Sequence, residues 1–81
     1  MKFKTELIQP GRLTPREAEI MLLVCDAMSD KDISRTLAIS LNTVSRHLHA
    51  IYVKMGIYHS RLNRRVSMTR EALSQGMVRL L

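Results

Sequence analysis

Three helix starts follow one another at Thr14, Ser29 and Ser40, which leaves room only for short helices joined by tight turns. The first is the most fully written. Thr14 can cap the helix, Pro15 fits its first position, and Glu17 stands three residues past the cap, so side chains satisfy amides that have no helical partner. Ile20, Leu23, Val24 and Ala27 then recur at helical spacing and predict a helix over about residues 15–27. At the second start Ser29 can cap, while Asp30 and Asp32 complement the positive end of the helix dipole. Ile33 and Leu37 supply the buried stripe of a helix over about 30–37, and Ala38-Ile39 is too brief for anything but a tight turn. From Ser40, the residues Val44, Leu48, Ile51 and Met55 step along one face until Gly56 stops the third helix. Leu62, Val66, Thr69 and Leu73 predict a fourth helix over about 60–74, ended by Gly76. The expected fold class is all-α, four short helices with no strand. Residues 1–11, which end in the turn signal Pro10-Gly11, form an arm ahead of a single domain over 12–81.

Eighty-one residues hold one modest core, too small for a deep private pocket of the kind most enzymes need. Six Met residues suit gap-filling in that core, with a Met-rich partner groove as the alternative. Charge says more. Thirteen Lys and Arg against seven acids give a net charge of +6, the footprint of a nucleic-acid binder. No Asp or Glu occurs between Asp32 and Glu71, whereas Arg35, Arg46, Lys54, Arg61, Arg64, Arg65 and Arg70 all fall there. A polyanion would meet one continuous basic half.

The outward side of the third helix carries the chemistry. At about 100° per residue, Asn42, Ser45, Arg46, His49 and Val53 lie opposite the core stripe, and Thr43, His47, Ala50 and Lys54 lie on a flank. A solvated face ordinarily mixes Glu with Lys; this one has hydroxyls, an amide, imidazoles and a guanidinium, the groups that bond base edges and phosphates. Asn42, Ser45, Arg46 and His49 are therefore expected to read bases, with Arg46 suited to a bidentate contact with guanine.

The segments Leu13-Thr14-Pro15-Arg16-Glu17-Ala18-Glu19-Ile20, Ser29-Asp30-Lys31-Asp32-Ile33, Ile39-Ser40, Thr43-Val44, His47, Ile51-Tyr52 and Lys54-Met55-Gly56-Ile57 closely resemble the LuxR-type (GerE- or FixJ-type) helix-turn-helix domain. The likeness covers about residues 12–78. It implies a four-helix domain that binds double-stranded promoter DNA in a bacterial cytoplasm and regulates transcription, commonly as a homodimer, with the third helix in the major groove. It also implies base contacts at Ser45, Arg46 and His49, the positions the helical wheel turns outward, and phosphate contacts near Lys31, Thr43 and Lys54. His47 on the flank joins the expected phosphate set, as do Arg61, Arg64 and Arg65, which could instead meet an acidic protein or water. This sequence departs from the family pattern in three places. Ala27 replaces the usual Gly after the first helix, so that turn must close without a residue free in φ. Ser45 replaces the usual Lys, and the stretch from Tyr58 to Arg65 is longer and more basic than is common, which bears on dimer geometry. Met68 and Ala72 are expected at a subunit contact or in the protein's own core.

Other chemistries find little in the sequence. His47 and His49 point to different faces of a helix, so with His59 they make no metal site, and no metal or cofactor is expected. Ser, His and Asp occur without a strained elbow or oxyanion loop, so no catalysis is expected. Cys25, the single cysteine, is placed for inert packing, and neither a signal peptide nor a membrane span is expected. Two partners remain to weigh: DNA, or a protein such as RNA polymerase. A protein-docking helix would expose more Leu, Tyr or Phe than the single Val53 found on this face. With no sensor in its sequence, the chain would answer to its own abundance or to a partner; equally, it could be the C-terminal piece of a larger regulator.

Overall fold

The computed structural model describes residues 5–57 and 63–81. Six elements follow in order: β1 (Thr5–Leu7), α1 (Pro15–Cys25), α2 (Asp30–Leu37), α3 (Leu41–Met55), α4 (Arg64–Ser74) and β2 (Val78–Leu80). The domain is all-α in class, with a short terminal ribbon added. Helix α1 is the hub and packs against α3, α4 and β1, while α2 packs on α3.

Helices α1, α2 and α3 each begin where their capping chemistry begins, whereas α4 follows Asn63 without a side-chain cap. Thr14 accepts from the Glu17 amide at 3.2 Å, and the Glu17 carboxylate accepts from the Thr14 amide at 2.9 Å. Ser29 and Asp32 make the same reciprocal pair at 3.2 and 3.4 Å. Ser40 caps α3 by accepting from the Thr43 amide at 3.0 Å. At the C-terminal ends Gly56 turns left-handed, φ 75°, but so do Ala27 at φ 65° and Ala38 at φ 55°. The turn after α1 thus closes through a left-handed residue despite lacking glycine, and an L side chain bears the strain there. The α2–α3 connection is held by Ala38 and by the Ile39 amide donating to the Ser34 carbonyl at 3.1 Å.

Ile20, Met21, Ile33, Val44, Ile51 and Met68 are fully enclosed and carry most of the core. Each contributes about 1.5–3 kcal/mol of transfer free energy. The expected stripes of α1, α2 and α3 lie on the core side, apart from Ala27, which is exposed beyond the end of α1; Met55, Leu23 and Leu37 are half-buried.

Two expectations need correction. The chain does contain strands: β1 pairs antiparallel with β2, Thr5 opposite Leu80 and Leu7 opposite Val78. Thr5 anchors the ribbon to α1, its amide and hydroxyl both donating to the Asp26 carboxylate at 2.7 and 2.8 Å. Three-residue strands are too short to display an alternating pattern, which is why periodicity did not reveal them. Helix α4 is also rotated relative to expectation. Val66 and Leu73 are 54% and 39% exposed, whereas Met68 and Ala72 are fully buried. Arg65, whose guanidinium reaches Asp30 at 2.6 Å and the Met28 carbonyl, ties α4 to the α1–α2 turn in this orientation. In this orientation Met68 and Ala72 face inward, where α4 packs on α1. They fill the protein's own core and are not available to a second subunit. Leu62, also expected in the stripe, lies outside the described residues.

Candidate nucleic-acid interface

Among the described residues the fifteen of α3 form the longest helix, with one side buried and the other open. Val44, Leu48, Ile51 and Tyr52 are buried beneath it. On the opposite side Asn42, Ser45, Arg46 and His49 are all exposed, and none has a hydrogen-bond or ion-pair partner among the described residues. The flank residues Thr43 and His47 are half-buried, and the Thr43 hydroxyl is bonded to that of Ser40 at 2.9 Å. The structure therefore brings the four expected base-reading residues onto one open surface. Lys31, at the start of α2, is also exposed.

The remaining cations are arranged differently. The Lys54 ammonium donates to the Glu17 carboxylate at 2.7 Å. Glu17 is buried, and burial pushes its carboxyl upward; the bonds from Lys54 and Thr14 outweigh that and hold it below the ordinary carboxylate value. Lys54 thus fastens the C-terminal half of α3 to the first turn of α1. Arg65 is committed to Asp30, and the Arg64 guanidinium lies 5.6 Å from the Tyr52 ring centre. Both were expected to grip phosphate, yet both engage the protein itself. Arg61 and His59 lie outside the described residues. In the sequence Glu17 and Asp30 read only as parts of helix starts, and Asp26 is not singled out. Their partners are 21 to 37 residues away in sequence, and no local pattern points to them.

Among the described residues no group of His, Cys, Asp and Glu could hold a metal ion, and no helix is long and apolar enough to cross a membrane. The Cys25 thiol is pushed above its ordinary value, chiefly by burial, which keeps it protonated and poorly reactive.

Known proteins resemble this chain over most of its length. Over 66 residues the chain is 39% identical to a protein of Mycobacterium bovis named as an HTH-type transcriptional regulator, and equally to two so named from Mycobacterium tuberculosis. The alignments cover 82% of this chain but only 7% of each relative, so the chain spans a small part of their length. The family model described as bacterial regulatory proteins, luxR family, matches residues 11–65, from the turn before α1 into the start of α4. That span contains the whole of α1, α2 and α3, and on this ground the chain belongs to the luxR family of bacterial regulatory proteins, as a DNA-binding helix-turn-helix domain.

Proposed function

We propose that this chain reads DNA sequence with α3 laid in the major groove, and that two copies do so on neighbouring half-sites. The observation that carries the reading is the exposed stripe of Asn42, Ser45, Arg46 and His49, set within a run of sequence free of Asp and Glu from residue 33 to residue 70. A carboxylate on that surface would repel the phosphate rows flanking the groove. Its absence over so long a run favours an anionic partner, and a face of hydrogen-bonding groups with Val53 as its single apolar member suits base edges better than a protein surface such as that of RNA polymerase.

Within this reading the roles divide by position. Arg46 makes the bidentate contact, worth about 1–3 kcal/mol of discrimination for guanine over other bases. Asn42, Ser45 and His49 bond the edges of neighbouring bases. Lys31, Thr43 and His47 meet the phosphate rows and set the register. Lys54 and Arg65 act through the fold, by fixing α3 and α4 against α1 and α2. The exposed pair Val66 and Leu73, two turns apart on α4, replaces Met68 and Ala72 as the surface for a second copy.

Binding selection from random duplexes, run with the purified chain at two salt concentrations, tests the proposal. It should return one motif in paired half-sites, with affinity falling steeply as salt rises. Arg46→Ala should lose preference at a single base pair per half-site. An unchanged ranking of selected sequences in that variant refutes the assignment.

A further inference from the structure

Two large apolar side chains of α3 are open to solvent, Leu41 and Val53, each 48% exposed. They face different ways. Leu41 precedes the buried Leu48 by seven residues and the buried Tyr52 by eleven, so it continues the core stripe past the end of the core. Val53 follows the exposed His49 by four and the exposed Arg46 by seven, which sets it in the same outward file. It is the only branched aliphatic residue in a file otherwise made of hydrogen-bonding groups. It also lies outside the buried core and the half-buried residues packed on it.

The major groove offers one apolar group to match, the C5 methyl of thymine. Seven residues of helix advance about 10 Å, the rise of about three base pairs at about 3.4 Å each. We infer that Val53 is a specificity-determining contact to a thymine methyl, about three base pairs from the pair read by Arg46. The inference rests on the placement of α3 in the groove. The contact discriminates thymine from cytosine by shape and desolvation, with no hydrogen bond.

The test replaces each thymine of the selected site in turn with deoxyuridine, which removes the methyl and leaves pairing intact. The unaltered chain should lose about fourfold in affinity at one thymine, the worth of one buried methyl group. That thymine should lie about three pairs from the position at which Arg46→Ala loses its preference. Val53→Ala, on an exposed helical site where alanine is well tolerated, should keep its melting temperature and the Arg46-dependent preference, and should bind the two duplexes equally. The inference is overturned if no deoxyuridine substitution weakens the unaltered chain, or if the loss persists in Val53→Ala. A selection that returns a clear Arg46-dependent motif with no such thymine removes Val53 alone. A selection with no preferred motif removes the groove reading, and this inference with it.

Discussion

Replacing Lys54 with Met keeps the length and apolar stem of the side chain and removes only the ammonium that lies 2.7 Å from Glu17. The Glu17 side chain is 8% exposed and Lys54 35% exposed, so the pair is neither fully buried nor free in solvent. Losing one partner of a fully buried pair costs about 3–5 kcal/mol, and an exposed pair contributes about 0.2–1 kcal/mol. With one member buried and the other partly solvated, about 2 kcal/mol is the appropriate expectation. For a domain of this size that lowers the melting temperature by about 8–16 °C. Acid supplies a signature that a mere packing loss lacks. In the unaltered chain Glu17 titrates below its ordinary value, so its stabilisation is present above the ordinary carboxylate range and is lost as pH falls through the folded value. In Lys54→Met, burial is no longer opposed by the ammonium and the folded value climbs. The variant then suffers most at neutral pH, and the stability gap should narrow on acidification. Urea unfolding followed by circular dichroism at neutral and acid pH measures the gap. Glu17→Gln introduced into Lys54→Met should recover much of the loss, because Gln still accepts from the Thr14 amide. A gap that is the same at both pH values, or no loss at all at neutral pH, refutes the reasoning.

Other expectations follow from packing and backbone geometry. Met68→Ala should cost about 2–5 kcal/mol because Met68 is fully buried, while Met68→Leu should cost under about 1.5 kcal/mol; urea midpoints compare them. Val66→Ser with Leu73→Ser should leave the folded monomer nearly as stable, since both are exposed. The pair should nevertheless abolish cooperative binding to paired half-sites in gel-shift titrations. Ala27→Gly and Ala38→Gly should each raise the melting temperature, because a left-handed L residue costs roughly 1–2 kcal/mol and the added freedom of glycine in the unfolded chain returns only about 0.4–1 kcal/mol. A fall in both variants contradicts the strain argument.

What the sequence made legible is local. Thr14, Ser29 and Ser40 mark their helices because capping is decided within four residues, and the α3 stripe is legible because its periodicity runs over fifteen. The outward file of Asn42, Ser45, Arg46 and His49 follows from the same periodicity. What escaped is long-range. Helix α4 has two apolar files, Val66–Leu73 and Met68–Ala72, and its own residues do not say which one turns inward. Packing against α1 decides it, and the bond from Arg65 to Asp30, 35 residues earlier, is consistent with that choice. The ribbon joins residues 73 positions apart, with Glu6 and Arg79 paired across it at 3.2 Å. Lys54 was expected at phosphate from the family resemblance alone; its partner Glu17 lies 37 residues earlier, on the hub helix α1.

The most direct measurement is a heteronuclear NMR titration of the labelled chain with its selected duplex. Side-chain signals of Asn42, Arg46 and His49 should shift most, together with the methyl groups of Val53, while the Thr5–Leu7 and Val78–Leu80 ribbon stays in place. Large shifts at the ribbon or across α4, with the α3 signals unmoved, would contradict the account.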